Sequence, residues 1–521
     1  MIFFPLASDV RALFLSNIVN FKAYRKLIYF FYVKNEIYTS CPSTSQTHAS
    51  MLNYIEPILG FNTVRHYAII AMSTMSSLAI IWLPLIPVTI FLISHKYYQC
   101  TNPRPKGCRK LGLPHHKTYL HDEYDPKYSQ GVPEKHTDSE DKPSWRIKAL
   151  FAYPIKSCAG IELDTADVVP TGFTYDRQFC FAEYITPKTS TNESQQAHWT
   201  ARTLRDGSLC KMALIRPEIW VPDPTAEDYC PELQEVQSQG VLVIHYPRVT
   251  AGMLSFPVKL GVMLGILSKE LSFRVPFSPP ENTDPKSTYP LIPVKIWKDT
   301  PLAHDYGCHL PSSLHRFLDP DRTRGPLTLF RANSSHHREI FRNAPRKEDL
   351  GFQPVTGFAD AYPIHLLNIA SVQDIAGKCK TDIPELSIRR FRANIIVQGP
   401  GAYEEDHWKR VRICGPKTES KSEPGAGAGG VEVYTACRTI RCKLPNVDPD
   451  TGVRHPVEPD RALKRWRRID RGDLTNAALG MQVVPAVREF RVCVGDGIEV
   501  LETGEHCYIK MLKPGEKVEG V

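Results

Sequence analysis

Apolar residues along this chain fall mostly into short runs, several of them alternating with polar positions. The runs are Ile147–Tyr153, Phe179–Tyr184, Gly240–Ile244, Pro293–Trp297, Ile395–Val397, Val431–Tyr434 and Gly497–Leu501, separated by Gly, Pro and Asp. A period of two places successive side chains on opposite faces of a strand, so the pattern predicts β-rich barrels with a few helices. Helical spacing predicts helices over Ser371–Lys378 and Arg461–Asp470. The stretches Pro217–Glu235 and Pro276–Pro290 read as loop insertions.

One run has a different character. Ala68 to Ile93 is uncharged and strongly apolar, long enough to cross a bilayer core of about 30 Å at about 1.5 Å per residue. It predicts a transmembrane helix over residues 68–94, kinked at Pro84 and Pro87. Lys96, Arg104, Lys106, Arg109 and Lys110 follow it, whereas Arg65 stands nearly alone before it. That asymmetry orients everything after Lys96 toward the cytosol. Residues 1–67 form an N-terminal extension whose apolar patch, Leu27–Val33, is too short to span. Residues 95–143, rich in Pro, His, Lys, Asp and Ser, predict a flexible linker, so the folded body is expected to begin near Trp145.

Composition narrows the function classes. A length of 521 residues leaves room for two or three folded units, and 43 prolines favour loops and short strands over helical bundles. The formal charge of +8 comes with no aromatic-interleaved basic module, so no nucleic-acid role is expected. Fourteen cysteines without a C-x-x-C pair fit a reducing compartment and exclude zinc ribbons and ferredoxin clusters. The densest basic stretch, Arg461, Lys464, Arg465, Arg467, Arg468 and Arg471, reads as a solvated helix face or as a docking face for an acidic partner. The Gly-Ala alternation of Ser422–Gly430 leads into a strand rather than a helix, so it predicts a hairpin loop and not a phosphate-binding turn.

Chemistry concentrates in a few clusters. Cys442 sits among Arg438, Arg441 and Lys443, and nearby positive charge favours the thiolate that ligates metals or attacks electrophiles. An inert buried cysteine fits the same local context. The turn Tyr153-Pro154-Ile155-Lys156-Ser157-Cys158-Ala159-Gly160 offers a cation, a hydroxyl and backbone N–H groups suited to gripping an anion. Tyr175-Asp176-Arg177-Gln178-Phe179 and Arg390-Phe391-Arg392-Ala393-Asn394 each precede a strand and add guanidinium groups and an amide.

Taken in order, Tyr-Pro-Ile-Lys-Ser-Cys-x-Gly, Asp-Arg-Gln-Phe, Phe-Arg-x-Asn-Ile-Ile-Val, Arg-Cys-x-x-Pro-x-Val-Asp-Pro-Asp-Thr-Gly and Val-Gly-Asp-Gly resemble MOSC proteins with their amino-terminal β-barrel partner domain. The likeness is strongest to the family of mitochondrial amidoxime-reducing components and runs from about Trp145 to Leu501. It implies a β-rich α+β fold with two β-barrel-like domains behind the transmembrane helix, the partner domain over 144–330 and the MOSC domain over 331–505. It also implies a molybdenum–molybdopterin cofactor between them, with Cys442 as both metal ligand and catalytic residue. Lys156, Ser157, Arg177, Arg392 and Asn394 would hold the pterin and its phosphate, and Ser371 matches a further cofactor-contacting stretch. Asn368 departs from the serine usual in that stretch. Cys437 is left without a role, and Asp448 either orients the metal loop or caps a turn.

The activity implied is reduction of small N-hydroxylated substrates, N–OH becoming N–H with oxygen leaving as water. Electrons would come from a b-type cytochrome and its flavin reductase, with the chain anchored in the mitochondrial outer membrane and its catalytic part in the cytosol. The alternatives are a cofactor carrier or sulfur-handling protein, resembling the carboxy-terminal module of molybdenum-cofactor sulfurases, and a tethered barrel without cofactor.

Overall fold

Strand Arg146–Ala152 organises the architecture because both of its faces are apolar. Ile147, Leu150 and Ala152 enter the interior of a barrel with Leu366, Ile395, Val411, Val433 and Val483, whereas Ala149 and Phe151 face the helix Ile369–Cys379. A strand buried on both sides reads as a continuous apolar run, as Ala149–Ala152 does after the half-buried Arg146 and Lys148. In the computed structural model the described residues are 104–114, 116–138, 142–186, 196–249, 255–265, 267–280, 288–415 and 430–510, with positions between 86 and 94. The chain divides between Ile93 and Ser94, and the fold described is that of the second part.

Two closed barrels form its centre. The larger runs, neighbour to neighbour, through Arg146–Ala152, Ile395–Gln398, Ile364–Asn368, Ala477–Pro485, Val431–Arg441, Trp408–Cys414 and Gly497–Thr503, and closes where Gly497 pairs with Arg146. The smaller runs through Leu291–Lys295, Leu302–Asp305, Leu327–Ala332, Phe179–Ile185 and His198–Ala201, closed by parallel pairing of Val294 with Trp199. Closure removes the open edges of both rings, and Ile161–Leu163 adds to the larger sheet as a short extra strand beside Arg146–Ala152.

Several sequence expectations change. Residues 104–138, read as part of a flexible linker, are folded onto the body: Cys108–Lys110 pairs with Arg216–Pro222, and Leu120 and Tyr128 are buried. The Glu123 carboxylate accepts from the Ile388 N–H at 2.8 Å, and Gln373 donates to the Glu123 and Asp125 carbonyls. A few widely spaced anchors hold this segment, which is why no periodicity betrays it. Pro217–Glu235 is not all loop, because Arg216–Pro222 is a strand with alternating burial whose flanking prolines mask the pattern. The basic helix is Asp460–Trp466, shorter than expected, and Arg467 just beyond it is buried against Tyr403, Asp406 and the Ala478 carbonyl. Arg467 therefore cannot belong to a docking face.

Other expectations fall outside the described residues: the extension 1–67, residues 68–85 of the apolar run, part of Pro276–Pro290 and nearly all of Ser422–Gly430. The positions described between 86 and 94 are helical, and among the described residues no helix is long and apolar enough to cross a membrane. Strands Trp408–Cys414 and Val431–Arg441, which flank Ser422–Gly430, pair antiparallel with Ile413 opposite Val431.

Helix Ile369–Cys379 is fixed at its N-terminus by a buried carboxyl group. Asn368 caps the helix by accepting from the Ala370 N–H at 3.1 Å and donates to Glu405 at 3.0 Å, while the Ser371 hydroxyl donates to Glu405 at 2.6 Å. Burial, followed by the adjacent Asp406 charge, raises the Glu405 pKa from 4.5 to about 7, against the opposing pull of those two hydrogen bonds. A carboxyl that binds its proton more tightly folded than unfolded stabilises the protein fully below pH 4.5, and that contribution is lost as pH rises through about 7. We expect the stability of wild type relative to Glu405→Gln to fall across this window by on the order of 3 kcal/mol. Urea unfolding of both proteins at intervals across the window checks it; parallel pH profiles would remove Glu405 as the titrating group.

Candidate functional site

Two turns are zipped together where the barrels meet. The Arg177 N–H donates to the Tyr153 carbonyl at 2.7 Å, the Lys156 N–H to the Phe179 carbonyl at 2.8 Å, and the Tyr153 N–H to the Asp176 carboxylate at 2.8 Å. Asn394 ties both to the larger barrel: its amide donates to the Phe151 carbonyl and to Asp176, and its oxygen accepts from Arg177 and from the His365 N–H, all within 2.9–3.1 Å. The Tyr153 ring is sandwiched between Arg177 and Arg392, whose guanidinium carbons lie 4.6 and 4.3 Å from its centroid.

These turns open onto a cavity of about 510 Å³ that takes residues from both barrels. Ser157, Arg177, Trp297 and Arg392 all line it with left-handed backbone, at φ of 68°, 46°, 56° and 58°. Each such non-glycine residue costs about 1–3 kcal/mol, and strain of this kind gathers where geometry serves a ligand rather than stability.

The charge in the cavity is one-sided. The Lys156 ammonium contacts Asp360 and donates to the Phe358 carbonyl, and Arg177 pairs with Asp176 at 2.6 Å. Arg392 and Arg441 have no carboxylate partner among the described residues. Burial pulls the pKa of each down to about 10, with the Arg177 charge adding to the effect. Burial likewise lowers the Lys156 pKa, against the pull of Asp360, and keeps His365 well below its ordinary value and so neutral. Residues lining the cavity also carry buried polar atoms with no hydrogen-bond partner: Arg392 Nη2, Arg441 Nε and Thr439 Oγ1. Such groups are costly unless something supplies the missing bonds. Two donor-only guanidiniums call for acceptors that carry negative charge, and the hydroxyl suits an edge mixing donors and acceptors.

Cys442 emerges at the end of strand Val431–Arg441, after bulges between Thr435 and Cys437 and between Arg438 and Ile440. Its half-buried thiol accepts from Arg205 Nε at 3.1 Å, and the Arg205 guanidinium lies 4.1 Å from the centre of the Trp297 ring. Behind it, the loop that follows is clamped by consecutive arginines: Arg390 pairs with Asp448 at 2.6 Å, and Arg389 grips Asp450 through two bonds of 2.9 and 2.5 Å. Asp448 also accepts from the Asp450 and Thr451 N–H groups, so it both shapes the turn and anchors the loop. Among the described residues no three His, Cys, Asp or Glu side chains converge as a metal site, so a metal at Cys442 would take its other ligands from a cofactor.

The cavity brings together Cys442, Lys156, Ser157, Arg177, Arg392 and Asn394. Ser157 and Asn394 contribute mainly as braces, since the Ser157 hydroxyl accepts from the Leu204 N–H and both ends of the Asn394 amide are engaged. Ser371 is not with them. Its buried hydroxyl is spent on Glu405 and the Tyr403 N–H, a packing role in place of the cofactor contact expected of it. Cys437 is buried against Tyr362 and Val484, and burial pushes its thiol up to about 12. The sequence left Arg205, Trp297, His365, Thr439 and Asp360 unremarked. Only Thr439 and Arg441, two apart on one strand beside Cys442, carried a signal that alternation makes readable.

Residues 353–518 match the MOSC domain family, and residues 144–208 match the MOSC N-terminal beta barrel domain. The mitochondrial amidoxime-reducing component 1 of Mus musculus is 33% identical over 113 residues, 22% of this chain and 28% of that protein. The mitochondrial amidoxime reducing component 2 of Bos taurus is 33% identical over 326 residues, 62% of this chain and 73% of that protein. A molybdenum cofactor sulfurase of Oryza sativa subsp. japonica is 28% identical over 155 residues, 27% of this chain and 16% of that protein. The chain thus spans under a third of the mouse relative's length and most of the bovine one.

An uncompensated buried cation weakens the ligand-free fold. Arg441→Met keeps bulk and removes the charge, so it is expected to raise the stability of ligand-free protein by about 1–3 kcal/mol. Chemical denaturation measures this, and a loss of stability would show that the guanidinium is already compensated within the protein.

Proposed function

Because the chain belongs to the MOSC family that includes the mitochondrial amidoxime-reducing components, we propose that it is a molybdenum-cofactor oxidoreductase that reduces N-hydroxylated compounds. Each turnover takes two electrons and two protons, converting N–OH to N–H and releasing water. The observation that carries this reading is the Cys442 thiol opening into a cavity lined by Lys156, Arg177, Arg392 and Arg441.

The residues present fit a molybdopterin. Arg392 and Arg441 supply unpartnered donors for a phosphate, Thr439 supplies an unpartnered hydroxyl for a pterin edge, and Cys442 supplies a soft sulfur ligand. When bound, the metal would provide the two-electron oxygen-atom chemistry that no side chain here can. The protein's own part is positioning. The arginine clamps on Asp448 and Asp450 fix the loop behind Cys442, and the Asn394 bonds fix the turns carrying Lys156 and Arg177. Arg205 Nε holds the sulfur from the side of the smaller barrel. Lys156 Nζ, held by Asp360 and the Phe358 carbonyl, puts a fixed positive charge on the cavity wall.

A cofactor-carrying or sulfur-handling role would use the same cavity, and the rice sulfurase is the relative that favours it. Reduction of benzamidoxime by cofactor-loaded protein with an artificial electron donor separates the two. Cys442→Ser is expected to abolish that reduction while pterin stays bound, as read by metal analysis and by fluorescence of released pterin. Undiminished turnover in the variant would sink the assignment.

Electrons would reach the site from a b-type cytochrome and its flavin reductase. Arg461 and Lys464 are committed to Asp382, Glu458 and Asp460, which leaves exposed Arg465, Arg468 and Arg471 as the docking face. The names of the relatives support a mitochondrial location, and residues 68–94 would anchor the chain in the outer membrane with the barrels on the cytosolic side. With subsaturating cytochrome, turnover is expected to fall severalfold as ionic strength rises from low to physiological. Steady-state rates across a salt series measure this, and a flat series removes the docking face.

A further inference from the structure

The basic residues of the cavity fall into two groups by exposure. Lys156, Arg392 and Arg441 are buried or nearly so, whereas Arg205 and Lys298 are exposed and Arg342 is half-buried. The buried group meets the needs of a cofactor, since Arg392 and Arg441 hold the unpartnered donors. Of the outer group, Arg205 and Arg342 need another account. Lys298 and Arg342 also line the neighbouring groove, which carries Lys347 and Arg488 together with two carboxylates, Asp299, paired with Arg338, and Glu339. Among the described residues lining the cavity, Asp360 is the one carboxylate, and Lys156 already engages it. The charge of Arg205 is turned toward the Cys442 sulfur, and Arg342 donates one N–H to the Ile509 carbonyl. Neither contact brings a carboxylate to the entrance.

From this distribution we infer that the entrance selects substrates by charge: the site takes N-hydroxylated compounds carrying an anionic group, such as a carboxylate, away from the N–OH, with Arg342 and Arg205 as the specificity-determining residues. A low-dielectric cleft lined by one sign of charge concentrates the opposite sign and repels its own. Within the cavity itself a cationic substrate would meet like charge, and the one carboxylate there, Asp360, is already engaged by Lys156. The inference rests on the reading that this cavity takes N-hydroxylated substrates, and it adds which of them are preferred.

The test compares para-carboxybenzamidoxime with para-trimethylammonio-benzamidoxime, similar in shape and opposite in charge, binding to cofactor-loaded protein in a calorimeter. The anion is expected to bind at least about tenfold more tightly, with the ratio shrinking as salt is added. Arg342→Gln and Arg205→Gln should each reduce the ratio severalfold, and Arg342→Lys should restore most of it. Equal affinities, tighter binding of the cation, or a ratio indifferent to both glutamine variants overturns the inference. Because the readout is binding, it stands apart from turnover: failure to reduce neutral benzamidoxime counts against the proposed function, whereas failure to discriminate charge counts against this entrance.

Discussion

The side chain of Asn394 is the joint on which the site depends. One amide reaches the first strand of the larger barrel, the Asp176–Arg177 turn and the strand carrying His365. Its position two residues after Arg392 means that fixing the amide also fixes the left-handed turn that points Arg392 at Tyr153. Buried amides satisfied at both ends are unforgiving, because a lost bond leaves a desolvated donor or acceptor behind. The meeting of the barrels is therefore specified by a polar knot set in an apolar surround.

Around that knot the molecule tolerates features that a purely structural protein would shed. Left-handed backbone at Ser157, Arg177, Trp297 and Arg392, guanidiniums without counter-ions and unpartnered polar atoms all surround one cavity. Local rules are broken where function requires it, and the barrels on either side supply the compensating stability. The same reasoning separates Ser371 from the site. Its hydroxyl is already engaged by Glu405 and the Tyr403 N–H, so it does not wait for a ligand.

The strands were the most legible part of the chain. Ala149–Tyr153 and Ile395–Val397 are buried on both faces and show as unbroken apolar runs, and the helix over residues 369–379 declared itself by spacing. The segment 104–138 stayed hidden because a few scattered anchors hold it, and Arg216–Pro222 because prolines at two of its positions resemble a loop. In the site, motif likeness picked out residues close to a recognisable segment. Arg205, Trp297 and His365 come from other parts of the chain, and only the closing of both barrels carries them to Cys442. No linear pattern encodes a meeting of that kind.

The larger barrel takes its first strand, Arg146–Ala152, from before the smaller barrel in the chain and its last, Gly497–Thr503, from near the end. The smaller barrel is thus threaded between the first and later staves of its neighbour. During synthesis Arg146–Ala152 can pair at once with Ile161–Leu163, but its partners around the barrel emerge more than about two hundred residues later. A cut made between the two barrels would leave the larger one a stave short, so the later half cannot be read as a free-standing module.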